Sequence, residues 1–100
     1  MKNEGQFDTY LTDAERERLA LLAEECGEVI QIVGKILRHG YESCHPNGGP
    51  TNRALLETEL GHVSYAITLS AVSGDTSEDN VLNAHNDKVF SVQKYLHFQE

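Results

Sequence analysis

The feature that most constrains the fold is a long stretch, residues 13–39, that contains no proline and carries apolar residues at helical spacing. Thr12-Asp13-Ala14-Glu15 precedes it and has the form of a capping box, in which a threonine and a glutamate three residues later cap each other's backbone amides. Basic residues occupy the last turn, where positive charge favours the helix dipole, and Gly40 follows. We therefore predict a helix over 13–39 whose buried stripe comprises Leu19, Leu22, Cys26, Val29, Ile30, Val33, Ile36 and Leu37.

The rest of the chain has the same helical character. Residues 40–51, GYESCHPNGGPT, predict a loop, because their prolines and glycines cannot continue a helix. A second helix is expected over 52–73, capped by Thr51, and a third starts after Thr76 or Ser77 and either continues or breaks near His85-Asn86. No segment alternates like a strand. The predicted fold is an all-α antiparallel bundle of three to four helices, a single domain over 1–100 with an N-terminal arm at 1–11.

The composition limits the partners that this chain can have. A short chain builds a modest core, so we expect self-association as a way to bury more apolar area. The formal net charge of −8 argues against nucleic acid and anionic membranes, which both attract a basic surface. We expect no signal peptide, because the first residues have no apolar core, and no run of the sequence reaches the length of a membrane span. Cys26 and Cys44 are then expected to be reduced thiols, which favours a cytoplasmic location.

The unusual feature of the first helix is an acidic segment inside an otherwise apolar run. In EECGE, Glu25 and Glu28 are three residues apart, and Glu24 and Glu28 are four apart, so both pairs are neighbours on a helix surface. Glu59 and His62 have the same three-residue spacing on the second helix. If the two helices pack antiparallel across the loop, we expect the acidic segments to meet at the same height.

The meeting of several carboxylates has a chemical consequence. Like charges in a poorly solvated place repel, and a divalent cation relieves the repulsion. Carboxylate oxygens suit Mg²⁺ or Mn²⁺. Glycine inside a helix is unfavourable, and Gly27 and Gly61 each lie in one of the acidic segments. Close approach of the two helices is one reason to expect glycine there.

These motifs resemble those of a known family. E-E-x-x-E on one helix, followed about thirty residues later by E-x-x-D on the next, is similar to the pattern of the MazG-like all-α nucleoside triphosphate pyrophosphohydrolases. Here the motifs read Glu24-Glu25-Cys26-Gly27-Glu28 and Glu59-Leu60-Gly61-His62, and the likeness covers roughly residues 15–98. The resemblance implies a helical bundle, completed as a homodimer or homotetramer, that uses Mg²⁺ to hydrolyse a nucleoside triphosphate to the monophosphate and pyrophosphate.

The resemblance also assigns roles to residues. It implies that Glu25, Glu28 and Glu59 are metal ligands, with His62 at the fourth position. Glu24 would be the supporting carboxylate, so Glu24 and Glu25 are the expected catalytic residues. Candidate phosphate contacts, chosen for their charge more than from the motif, are Lys35, Arg38, Lys88 and Lys94.

His62 stands where the family has Asp. A neutral imidazole offers one nitrogen and prefers transition metals, so Mg²⁺ binding should be weaker than with Asp. The site then works with fewer ligands, prefers Mn²⁺ or another metal that accepts nitrogen, or holds a nucleotide without cleaving it. The last case makes the chain a nucleotide-binding or sequestering protein. A further alternative is a helical interaction module whose carboxylates face solvent. A zinc site at His39, Cys44 and His45 has no recognised spacing.

Overall fold

A computed structural model describes residues 8–99 of the chain, so most of the predicted N-terminal arm lies outside the described residues. It contains three α-helices, which are α1 (Asp13–His39), α2 (Asn52–Val72) and α3 (Glu78–Ser91), and a short 3₁₀ helix over Gln93–Tyr95. The described residues form no strand, and the isolated bridge between Cys44 and Thr51 lies within a loop. The prediction of an all-α chain is confirmed. No helix of the described part is long and apolar enough to cross a membrane.

The caps predicted from the sequence set the helix ends. The Thr12 hydroxyl accepts from the Glu15 amide at 3.1 Å, and the Glu15 carboxylate accepts from the Thr12 amide at 2.7 Å. At the other end of α1, the Gly40 amide donates to Ile36 O at 2.7 Å. Thr51 caps α2 through its hydroxyl, which accepts from the Ala54 amide at 3.1 Å. The predicted bounds of α1 are therefore confirmed, and α2 ends one residue earlier than predicted.

The loop over 40–51 is tied to the start of α2. The Asn52 side chain is buried, and its amide nitrogen donates to Gly40 O at 3.1 Å. The Asn52 backbone amide donates to Ser43 O at 2.8 Å. Gly48 and Gly49 adopt φ angles of +93° and +112°, which side chains disfavour, so glycine is needed for this turn. These contacts fix where α1 ends relative to the start of α2.

Two contacts show that α1 and α2 run antiparallel. Gly40 at the end of α1 meets Asn52 at the start of α2, and Glu25 in the middle of α1 meets His62 further along α2. The second pair encloses the first in the sequence, which requires that α1 and α2 run in opposite directions. The α1–α2 part of the predicted antiparallel arrangement is thus present.

The buried side of α1 differs from the predicted stripe. Ile32, which the predicted stripe omitted, is buried, whereas Cys26, Ile30 and Leu37 are exposed. The apolar residues cover a wide arc of α1, and one antiparallel helix covers only part of such an arc. The prediction of a buried stripe within this chain is therefore wrong for five exposed residues: Leu19, Cys26, Ile30, Val33 and Leu37.

The chain divides into two compact units at a boundary between Thr68 and Leu69, within α2. In the second unit, the Ser77 hydroxyl caps α3 by accepting from the Asn80 amide at 3.2 Å. The break considered near His85-Asn86 is absent, and α3 is continuous to Ser91. The α-helix ends at Ser91 instead, and after Val92 a short 3₁₀ helix follows over Gln93–Tyr95.

Candidate metal centre

The acidic residues of α1 and α2 come together within the first unit. Glu25 and Glu28, one turn apart on α1, meet Glu59 and His62, which are one turn apart on α2. One potential ligand atom of each residue lies within 4.8 Å of those of the other three. Within residues 8–99 this is the one such group of His, Cys, Asp or Glu side chains that can hold a metal ion. We call these four residues the acidic cluster.

His62 links the two helices inside the acidic cluster. Its Nδ1 lies 3.2 Å from Glu25 Oε2 and 3.3 Å from Glu59 Oε2. A protonated Nδ1 donates to these carboxylates, and a fully protonated ring also offsets part of their negative charge. The Glu25 and Glu59 side chains are only 13% and 15% exposed, whereas His62 is 51% exposed. The carboxylates are therefore largely covered, and the imidazole lies between them and solvent.

Apolar residues lie on both sides of the acidic cluster. Ile32 is seven residues after Glu25, and Ala66 is seven residues after Glu59, so each shares a face with the cluster residue on its own helix. Both are buried. Because the helices are antiparallel, Ile32 lies toward the loop and Ala66 lies away from it. The cluster is thus bracketed by apolar packing along the α1–α2 interface, which limits solvation of its carboxylates.

This environment changes the proton affinity of two members. A hydrogen bond with Glu28 raises the pKa of Glu59 above the ordinary 4.5, and desolvation and Glu25 raise it further, against a smaller lowering by His62. Desolvation lowers the pKa of His62, but its hydrogen bonds and charge interactions with Glu59 and Glu25 outweigh this, so the pKa lies above 6.5. Both pKa values are raised because negative charges are crowded in the site.

The donor atoms fit a divalent cation. Three carboxylates supply the hard oxygen ligands that Mg²⁺ and Mn²⁺ take in proteins. The fourth residue, His62, supplies a nitrogen, which suits Mn²⁺ and other transition metals better than Mg²⁺. Metal binding requires the carboxylates to be deprotonated, so a cation competes with the protons that the cluster retains.

The other predicted site residues lie outside the acidic cluster. Glu24 is exposed on α1 and is not one of the four grouped residues. Lys35 and Arg38 follow Glu28 by seven and ten residues, about 10 and 15 Å along the α1 axis. Lys88 and Lys94 belong to the second unit, where the Lys94 ammonium lies 5.2 Å from the Tyr95 ring centroid. The phosphate-contact roles of all four basic residues stay predictions.

The expected explanation for the glycines in the acidic segments does not hold. A Cβ built on Gly27 or Gly61 meets nothing within 4 Å. The approach of α1 to α2 therefore does not require glycine at either position. This part of the sequence argument is wrong, although the two acidic segments do meet.

The structure also contains a cleft that sequence reasoning did not find. It lies where the end of α1, the loop over 40–51 and the start of α2 meet, and Lys35 and Arg38 contribute to its lining. The only signal in the loop sequence is His45 next to Pro46, and the backbone path that turns this histidine toward α1 cannot be read from spacing.

Comparison of the chain with protein-family models, curated proteins and solved structures gave no match. The likeness to the MazG-like family thus rests on the two sequence motifs alone. The fold and site define an all-α chain with an acidic cluster that can hold a metal ion.

Proposed function

We propose that this chain is a metal-dependent nucleotide pyrophosphohydrolase that cleaves a nucleoside triphosphate to the monophosphate and pyrophosphate. The observation that carries the proposal is the acidic cluster, in which residues from both motifs offer ligand atoms within 4.8 Å of one another. Glu25, Glu28 and Glu59 would hold Mg²⁺ or Mn²⁺, with His62 beside them. When bound, the ion supplies positive charge that polarises a phosphoryl oxygen and lowers the pKa of a bound water.

The chain's own residues have separate tasks in this proposal. Glu25 both binds the cation and, with the exposed Glu24, orients the attacking water. His62 holds a proton at Nδ1 between Glu25 and Glu59 in the absence of a cation. Release of this proton frees both carboxylates for metal binding. Basic side chains would contact the phosphates, as the sequence predicted for Lys35, Arg38, Lys88 and Lys94.

Coverage of the carboxylates counts against a plain interaction module. In such a module, the acidic side chains would face solvent, but Glu25 and Glu59 are largely covered, and Glu25 lies against His62 of the opposite helix. Acidic groups that repel one another destabilise a helix interface. Binding of a ligand that neutralises them would account for their position at this interface.

The His62 contacts favour a second candidate, a nucleotide-binding protein that does not cleave. A protonated imidazole within 3.3 Å of Glu25 and Glu59 can offset part of their negative charge without a metal ion. The chain would then retain a nucleotide pocket with weak metal binding. We rank this function second, because the three carboxylates are all still in place.

We further propose a homodimer or homotetramer assembled through α1. Residues on the exposed side of α1 recur in steps of four and three, as along a coiled-coil seam: Leu19, Ala23, Cys26, Ile30, Val33 and Leu37. Ile30 and Leu37 are 71% and 82% exposed. A second copy of this helix has the matching pattern.

Cys26 and Cys44 are free thiols, which fits the cytoplasmic location that we propose.

Turnover tests the proposal directly. The purified chain is incubated with a panel of nucleoside triphosphates and Mg²⁺ or Mn²⁺, and both binding heat and pyrophosphate release are measured. We expect release by the wild type, loss in Glu28→Gln and retention in Glu17→Gln, which changes an exposed glutamate elsewhere on α1. Binding without release would favour the second candidate. If no nucleotide gives either binding heat or pyrophosphate release, both candidate functions are contradicted.

A further inference from the structure

The cleft beside the loop has the dimensions of a ligand site. Its volume is about 460 Å³, and small-molecule pockets generally span roughly 300–1,000 Å³. The last turns of α1, the loop and the first turn of α2 form its walls, all within the first unit. It is separate from the acidic cluster, because Lys35 is two turns beyond Glu28 on α1.

The charge of the cleft is opposite to that of the chain. Acidic residues outnumber Lys and Arg by 16 to 8 in the whole sequence, yet none of the described residues that line the cleft is Asp or Glu. Lys35 and Arg38 both line it, and neither has an ion-pair partner among the described residues. Arg38 folds back along α1, since its Nη1 would lie 3.4 Å from a Cβ on Gly34. Two uncompensated cations therefore share one concave surface.

A histidine adds a directed hydrogen-bond donor. His45 lines the cleft, and its Nδ1 accepts from the Asn47 amide at 3.1 Å. This bond requires an unprotonated Nδ1, which leaves Nε2–H as a donor in the neutral ring. The amides at the start of α2 are not available to a ligand, because those of Asn52 and Ala54 already donate to Ser43 O and Thr51 Oγ1. Recognition of an anion here depends on side chains.

Apolar groups complete the lining. Pro46, Pro50 and Leu55 contribute to the walls and present carbon rather than hydrogen-bonding atoms. An ammonium and a guanidinium suit a phosphate group, and apolar walls suit the organic part of the same molecule. We propose that this cleft binds a phosphorylated small molecule with an apolar part, independently of a metal ion. The proposal reassigns Lys35 and Arg38 from the predicted nucleotide contacts to a site of their own, so it does not rest on the proposed pyrophosphohydrolase function.

Two probes test the two halves of the proposal. The full ¹⁵N-labelled chain is titrated with inorganic phosphate and with phenyl phosphate in buffer containing EDTA, and amide chemical shifts are followed by NMR. We expect saturable shifts within residues 35–55. We also expect phenyl phosphate to bind about tenfold more tightly, the effect of burying about 55 Å² of apolar surface.

Variants assign the binding to the cleft. Lys35→Gln combined with Arg38→Gln should weaken phenyl phosphate binding at least about tenfold, whereas Lys35→Arg should retain it. Arg16→Gln, a matched change at the other end of α1, should bind like the wild type. Glu28→Gln should also bind normally while losing pyrophosphate release, so failure of the proposed function and failure of this inference are distinguishable. Absence of saturable shifts, shifts that lie elsewhere, or normal binding by the double variant would overturn the proposal.

Discussion

His62 Nδ1 lies 3.2 Å from Glu25 Oε2 and joins the second acidic segment to the first across the α1–α2 interface. The same nitrogen lies 3.3 Å from Glu59 on its own helix. One imidazole thus contacts a carboxylate from each helix at the position where the related motif has an aspartate. Without a metal ion it provides an attractive contact, which an aspartate at this position would replace with repulsion.

We expect His62→Asp to exchange stability for metal affinity. The variant adds a fourth carboxylate, so the metal-free protein should unfold at lower urea concentration than the wild type, while Mg²⁺ affinity should rise about tenfold, equal to ~1.4 kcal/mol. Urea unfolding and calorimetric titration with Mg²⁺ measure the two effects. His62→Asn is the matched control, since it removes the imidazole without adding charge. Unchanged Mg²⁺ affinity in His62→Asp would argue against a metal ligand at this position.

The acidic cluster should make the metal-free protein less stable as pH rises. The pKa of His62 is raised above 6.5, so its contribution is fully present below pH 6.5 and is lost as pH rises through the folded-state pKa. Glu59 also has a raised pKa, so the folded state retains a proton that the unfolded state has lost above about 4.5. Both groups therefore give stability that falls with increasing pH.

Urea unfolding from pH 5 to pH 8 with EDTA measures this slope. Because other groups also titrate, the informative quantity is the difference between the wild type and Glu59→Gln/His62→Gln, which should show a shallower decline. Saturating Mn²⁺ should reduce the decline in the wild type, since a cation binds the deprotonated carboxylates. A double variant as pH-dependent as the wild type would contradict the raised pKa values.

Replacing glycine by alanine on the acidic segments should stabilise the chain. A Cβ at Gly27 or Gly61 meets open space, and alanine is favoured over glycine inside a helix by about 0.5–1 kcal/mol. Gly27→Ala and Gly61→Ala should each raise the free energy of unfolding by this amount. Urea unfolding at a fixed protein concentration measures it. A loss of stability at Gly61 would show that this side of α2 packs against another copy.

The seam on α1 should control the oligomeric state. Ile30→Glu combined with Leu37→Glu places charge on two of its most exposed apolar positions. We expect association to weaken at least about 100-fold, equal to ~2.8 kcal/mol, with helix content retained. Sedimentation velocity and circular dichroism measure the two quantities. Gln31→Glu adds a charge beside the seam and should still assemble, and a wild type that is monomeric at all concentrations would refute the assembly.

Local rules predicted most of the helix boundaries. Thr12 and Ser77 cap their helices through hydrogen bonds to amides three residues later, and Gly40 follows the last residue of α1. The residues near each helix end were therefore sufficient to predict where the helix begins or ends. The meeting of Glu28 with Glu59 also followed from the spacing of two motifs across a loop. Spacing determines which residues share a face, and antiparallel pairing across the loop brings the two faces to the same height.

Long-range packing explains what the sequence did not predict. Helical periodicity defined a wide apolar arc on α1 but did not tell that Ile32 is buried while Ile30 is exposed, because this depends on the direction from which α2 approaches. The contact of His62 with Glu25 depends on a side-chain rotamer as well as on register. The cleft beside His45 depends on loop φ angles, which glycine leaves open.

The contact between the Asn52 side chain and Gly40 O has a consequence for the lengths of chain that the architecture tolerates. This contact fixes the start of α2 against the end of α1. The position of each cluster residue then depends on the number of helical residues between it and this contact. Adding one residue to α1 between Glu28 and Gly40 would turn the preceding part of the helix by about 100° and move it by about 1.5 Å. One residue added at the Asn47–Gly48 turn would not change the number of helical residues between this contact and the acidic cluster. Between the two acidic segments, an added residue is thus best accommodated at the tip of the loop.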